Sequence, residues 1–324
     1  MGGFLLRRLV LGLVAMFVAL SLCFFYFASK FFPLRATSTS HAYWVWLRGI
    51  PTGRSLSHGM LYPHLLSLVG GAFGRTMLLL GLTLVIVIVV AVPVGCISAA
   101  RRGSALDAGL RIGTYVAWAI PGFVVAILLQ QGFGRVPFGW GLGWFPPVGW
   151  AGECPGGDGV DLHTGLCPPA GHGLTHVGQV LYHLTLPAIA LALGFVAVNA
   201  RYLRNSLLDV LDAPYITVAR GKGLNERAVL VRHALPSALV AFVPALVSGL
   251  GLIFGAALVV DYIFKLGGIG TLFITLLPYN TDGIIQVDTY ALMLLFLLSA
   301  AVMLTASTLG EVVVALLDPR MKLD

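Results

Sequence analysis

Six stretches of this chain contain no Asp, Glu, Lys or Arg: Leu9 to Ala28, Met77 to Ala100, Ile112 to Gly134, Val177 to Ala200, Ala234 to Val260 and Thr289 to Gly310. Each meets the length of about 20 apolar residues that a helix needs to cross a hydrocarbon core of roughly 30 Å. One ionised group at mid-bilayer costs about 2.5–3.5 kcal/mol, while each Leu, Ile, Val or Phe returns only ~0.3–0.6 kcal/mol, so charge-free runs of this length point to lipid. The chain is 58% hydrophobic and 10% charged, where soluble domains have about 45–50% and 25%. That balance excludes disorder. The sequence therefore predicts an all-α integral membrane protein with six spans. The first run follows Arg7 and Arg8 as a signal peptide would, but it is long for a cleaved segment and no small-residue cleavage site follows it, so it is read as retained.

The net charge of +7 raises the question of nucleic acid, and the positions of the charges answer it. With the amino terminus in the cytoplasm, thirteen of the twenty basic residues fall on inner segments: Arg7, Arg8, Arg101, Arg102, Arg111, Arg201, Arg204, Arg220, Lys222, Arg227, Arg232, Arg320 and Lys322. Basic residues mark the cytoplasmic loops of membrane proteins, so topology accounts for the charge and both termini are expected inside. The expected organisation is a first span within residues 1–28, an outer segment over 29–76, a transmembrane core over 77–320 and a cytoplasmic tail over 321–324. The outer segment includes an interfacial helix expected at Met60 to Phe73, from the spacing of Leu61, Leu65, Leu66, Leu68 and Val69. Within the core, residues 135–176 form an outer lid rich in Gly, Pro and Trp, and 201–236 form an inner loop.

No P-loop, zinc-protease, hydrolase or calcium-loop motif occurs in the sequence, and no cofactor is expected. Ion-coupled carriers place ionisable groups inside their spans. The candidates here are His183, near an outer end, and Asp261, at the outer edge of the fifth span, which makes a self-sufficient carrier or channel the weaker alternative.

The inner loop carries the strongest functional signal. Asp212 is suited to cap a helix, and Pro214 suits its first turn, where backbone donors are free. The helix is expected to start near Ala213, to present Tyr215, Val218 and Ala219 on one apolar face, and to end at Gly221 and Gly223. Asn225 then caps the helix leading into the fifth span. A short amphipathic helix with Arg220, Lys222 and Arg227 around it fits a groove on a soluble partner, and it fits equally a solvated basic loop that only sets topology.

This segment resembles the EAA loop of ABC-importer permeases: Glu-Ala-Ala, three residues, Gly, nine residues, then Ile-x-Leu-Pro. Ala219, Gly223, Leu235 and Pro236 match at that spacing, while Thr217, Val218 and His233 stand for Glu, Ala and Ile. The run Tyr215-Ile-Thr-Val-Ala-Arg-Gly-Lys-Gly-Leu224 is similar to the dipeptide/oligopeptide/nickel branch, which departs from the general motif at the Glu. The resemblance extends to Arg75-Thr76, Gly95, Ala99, Arg101, Arg102, Gly103, Asp107, Ile120-Pro121-Gly-Phe123, Leu186-Pro-Ala188, Arg201, Tyr202, Arg204, Asp261, Gly268, Gly270 and Asp318-Pro-Arg320. Asp261 stands where that family usually has Glu, and Gly221 where it usually has Ala.

The resemblance implies the permease subunit of a type I ABC importer. It would pair with a second homologous permease, sit above two ATPase subunits and receive peptide from an extracytoplasmic binding protein. Tyr215, Thr217, Ala219, Arg220, Gly221, Lys222, Gly223 and Leu224 would then be the ATPase-coupling residues of a non-catalytic chain. The pathway-lining residues stay open, because apolar spans without a polar face do not reveal which side of each helix faces the pathway. Lipid is an expected partner and nucleic acid is not.

Pro93, Pro121, Pro187 and Pro244 are expected to interrupt helix hydrogen bonding, and Gly249, Gly251 and Gly255 to allow a close approach by a partner or a narrow point of the pathway. In the lid, the flanking glycines argue against a helical metal pair at His172 and His176, and the Trp residues read as an interfacial cluster. Cys23 and Cys96 lie within spans and are expected to be inert. Cys154 and Cys167 share the lid and are expected to form a disulfide, worth about 3 kcal/mol for a loop of this order. Non-reducing peptide mapping should recover Cys154 and Cys167 in one linked fragment; two free thiols would reject the bond.

Overall fold

The computed structural model describes residues 2–31, 39–50, 65–134, 142–150, 176–277, 279–281, 284–286 and 289–317. Its helices are α1 (Gly2–Phe31), α2 (Thr39–Gly49), α3 (Leu65–Ala100), α4 (Ala105–Ala119), α5 (Gly122–Phe133), α6 (His176–Leu211), α7 (Pro214–Gly221), α8 (Glu226–Ala228), α9 (Leu235–Ser248), α10 (Leu250–Phe264), α11 (Ile269–Leu276) and α12 (Thr289–Leu317). A π-helical stretch, Val229–Ala234, joins α8 to α9, and an antiparallel pair, β1 (Tyr279–Thr281) and β2 (Ile284–Gln286), precedes α12. The fold is helical, as expected, apart from that ribbon. Among the described residues, five helices are long and apolar enough to cross a membrane unaided. Leu22, Val89 and Ile112 are 66%, 63% and 63% exposed, a surface suited to hydrocarbon.

Two expected spans are not straight. The third, Ile112 to Gly134, breaks at Pro121, where α4 and α5 meet at 95°. Proline has no amide hydrogen and its ring crowds the preceding turn, so the helix ends and restarts there. The fifth, Ala234 to Val260, begins earlier, at Glu226, and is interrupted at Gly249; α10 then bends by 74° into α11. Pro93, Pro187 and Pro244, by contrast, lie inside continuous helices. The separate interfacial helix expected at Met60 to Phe73 is not seen over 65–73, which are the first turns of α3; among the described residues the short helix between α1 and α3 is α2, whose Tyr43 and Trp46 pack on Phe24 of α1. Cys154, Cys167, His163, His172 and the Asp318-Pro-Arg320 terminus lie outside the described residues.

Helices α3 and α6 form the central pair. Gly95 sits where a Cβ would come within 3.0 Å of the Ala200 carbonyl oxygen and 3.2 Å of Leu203, so the missing side chain sets their separation. Gly251 faces the chain's own α12, where its Cβ would meet the Met303 sulfur at 3.0 Å; Gly255 has open space. The glycine stripe therefore serves internal packing at one position only.

The α10–α11 bend depends on Gly270. A Cβ there would lie 1.9 Å from the Leu258 carbonyl oxygen, a contact with rigid backbone. Gly270→Ala should lower the melting temperature in detergent by the equivalent of about 1–3 kcal/mol, the usual penalty of overpacking. Gly113→Ala, with nothing within 4 Å, should leave it unchanged or slightly raised.

Candidate functional site

Helix α7 starts at Pro214, as expected, but its N-cap is Ala213, with no side-chain cap. Asp212 instead pairs with Arg102 at 3.2 Å, linking the end of α6 to the α3–α4 turn. The helix closes at Gly223, whose φ of +81° suits glycine, and the Gly223 amide donates to the Arg220 carbonyl at 2.9 Å. Asn225 caps the next helix as expected, its Oδ1 accepting from the Ala228 amide at 2.7 Å. Arg220 binds Glu226 through two hydrogen bonds of 2.8 and 3.3 Å and clamps the turn between the helices.

The buried face differs from the expected one. Ile216 and Ala219 are turned inward, packed with Leu203, Leu207, Val229 and Ala234. Tyr215 and Val218 are 47% and 59% exposed, beside exposed Thr217, Lys222 and Leu224. Only Ala219 of the predicted apolar face is buried. One face thus anchors α7 to its own chain while the other is free to bind. The Tyr215 hydroxyl also hydrogen-bonds Ser237 of α9 at 3.1 Å. The π turn between α8 and α9 precedes Pro236, which cannot donate to a carbonyl in the preceding turn; a widened turn accommodates its ring.

A second polar cluster braces the same end of the bundle. Asp107, 1% exposed, accepts from Arg204 Nε and Nη2, both at 2.9 Å, from the Ser98 hydroxyl at 2.5 Å and from the Gly103 amide at 3.1 Å. These bonds join α3, the α3–α4 turn, α4 and α6.

The cavity that sequence reading left open lies between these helices and the bent α10. It encloses about 440 Å³ and is lined by Trp118, Phe123, Phe195, Val198, Tyr202 and Leu252, among others. Gly194 and Gly249 widen it, and buried Asn199 is a polar member of its wall. Asn199 near the end of an apolar span was the one sequence signal for it.

At the opposite end, the two span-edge ionisable groups have structural partners. Asp261 accepts from the Gly268 amide at 2.9 Å and the Thr271 amide at 2.7 Å, capping α11. His183 Nδ1 donates to the Gly149 carbonyl at 3.0 Å. Among the described residues, the hydrogen bonds of both go to backbone groups and side-chain hydroxyls, not to another ionisable side chain.

The family described as "Binding-protein-dependent transport system inner membrane component" matches residues 91–323. The oligopeptide transport system permease protein OppB of Mycobacterium tuberculosis is 32% identical over 85% of this chain and 74% of its own length. AppB, an oligopeptide transport system permease protein of Bacillus subtilis, is 29% identical over 76% and 69%. A solved structure of an amino acid ABC transporter superposes with a TM-score of 0.50 at 14% identity, covering 79% of this chain and 94% of that one, which speaks to the fold alone.

Asp107→Asn leaves Arg204, 13% exposed, without its charged partner and should destabilise the detergent-solubilised protein by about 3 kcal/mol.

Proposed function

Given that the chain belongs to the family of binding-protein-dependent transport system inner membrane components, we propose that it is the permease subunit of an ATP-driven importer of di- and oligopeptides. It is a multi-pass inner-membrane protein of the transport class, and the peptide assignment follows its oligopeptide-permease relatives. On this reading it crosses the membrane six times with both termini in the cytoplasm. The crossings are α1, α3, the bent pair α4–α5, α6, the run from Glu226 to Phe264, and α12. A second permease completes the pathway, two ATPase subunits sit beneath, and an extracytoplasmic protein delivers the peptide.

The observation that carries the reading is the two-faced helix α7. Ile216 and Ala219 fasten it to α6 and to the π-helical stretch that leads into α9, so a push on the helix moves spans rather than a loose loop. Tyr215 and Val218, with Lys222 at the end of the helix, remain for an ATPase groove. The Asp107–Arg204 and Asp212–Arg102 pairs would carry that displacement into α3 and α4. When the ATPase dimer closes, paired coupling helices draw together and the spans rock about the central cavity, turning it from one side of the membrane to the other. Tyr215, Thr217, Ala219, Arg220, Gly221, Lys222, Gly223 and Leu224 are the proposed coupling residues, with Ala219 acting as an anchor.

Val218→Asp should reduce peptide-stimulated ATP hydrolysis of the assembled complex at least about tenfold, as loss of an interface anchor does, with the melting temperature nearly unchanged. Gly223→Asp should abolish coupling and leave binding-protein affinity largely intact. Peptide uptake by the chain alone in proteoliposomes, driven by an ion gradient, would overturn the proposal in favour of a self-sufficient carrier.

A further inference from the structure

Beside the apolar cavity lies a second one of about 480 Å³, to which α4 contributes Arg111 and Tyr115 and α6 contributes Arg201, Arg204 and Asn205. Val198 and Tyr202 line both, so the two form one continuous pathway wall with an apolar arm and a basic arm. The three guanidinium groups are not equivalent. Arg204 is neutralised by its paired bonds to Asp107. Arg111, with its side chain 49% exposed, reaches the same carboxylate only at 3.8 Å. Among the described residues Arg201 has no carboxylate partner; its Nε donates to the Ala197 carbonyl at 3.2 Å, and its guanidinium lies over Tyr115 at 4.5 Å and Trp118 at 5.5 Å. The two rings and that bond fix the guanidinium plane and leave its terminal amino groups without an acceptor among the described residues. Trp118 also lines the apolar arm, so the free positive charge sits where the two arms meet.

We propose that Arg201 receives the C-terminal carboxylate of a peptide in passage, with Arg111 beside it and the last side chain of the peptide in the apolar arm against Trp118, Phe195 and Leu252. The inference rests on the importer reading above and names a substrate contact which that reading leaves open. An importer of many peptides meets few features common to all of them, and the unmodified C-terminus is one. A guanidinium fork matches both carboxylate oxygens at once, and a plane already held by two rings loses little further freedom on binding. Neither arm is lined by a carboxylate, so this wall takes the acidic end of a peptide and offers no charged partner to its ammonium end. Arg201 is only half-buried, which keeps the contact weak enough for release.

The test is photocrosslinking of the assembled complex in nanodiscs, without the binding protein, by Ala-Ala-benzoylphenylalanine as the free acid or as its C-terminal amide. The benzophenone inserts into nearby C–H bonds, and the adducts are located by peptide mass spectrometry. The free acid should label α4, α6 and α10 about fivefold more than the amide, the factor a partly exposed ion pair supplies. Arg201→Gln should remove most of that difference, and Arg101→Gln, which replaces an exposed arginine outside both cavities, should leave it whole. Equal labelling by acid and amide in the wild type, or a difference that survives undiminished in Arg201→Gln, would overturn the assignment. The first of these needs no variant, so a misfolded Arg201→Gln leaves the test intact. ATP-driven uptake of Ala-Ala-Phe by the same complex with its binding protein separates the two levels: uptake with equal labelling rejects the carboxylate contact and leaves the importer reading standing, whereas a lack of uptake rejects both.

Discussion

A backbone amide or carbonyl without a partner costs several kcal/mol in hydrocarbon, and that constraint governs where this chain is able to stop being helical. Several of the breaks among the described residues are met by polar side chains. At the α10–α11 bend, Asp261 takes the amides of Gly268 and Thr271, and the Thr76 hydroxyl oxygen takes that of Ile269. Gln130 donates to the carbonyls of Pro147 and Ile263, which ties the stretch after α5 to the end of α10. His183 serves Gly149, and Gly149 in turn donates to Phe264 at 2.8 Å. At the other end Asp107 serves Gly103. Among the described residues, Asp261, Gln130 and His183 therefore serve chiefly as backbone partners.

The bundle is a set of helices that meet at defined joints. Pro121, Gly249 and the π turn before Leu235 are the joints. The Asp107–Arg204 cluster and the tight α3–α6 contact at Gly95 are the rigid ties. Helix α7 hangs from the rigid part through Ile216 and Ala219. Pro121 and Gly249 both border the apolar cavity.

Much of the candidate site was legible in the sequence, because its signals are local. A proline in a first turn, a glycine with positive φ and an asparagine cap act on their own or adjacent turns, and Pro214, Gly223 and Asn225 act as such signals predict. The error over Asp212 has a similar physical cause. A side chain suited to cap a helix is equally suited to an ion pair, and Arg102 competes for it from another helix. The apolar face of α7 was misjudged because Tyr215, Ile216, Val218 and Ala219 are all apolar in body, so the short helix offers two possible buried faces.

Sequence alone determined where the chain is apolar enough to cross a membrane, which segments bear charge and where the short inner helix begins and ends. These are matters of local composition and of a few residues with special backbone chemistry. Only the tertiary structure decided which face of each helix turns inward, that the third and fifth runs bend, and that Arg201 lies over Trp118. Lipid and protein core are equally apolar, so a span's residues carry little information about its rotation; packing against neighbours supplies it.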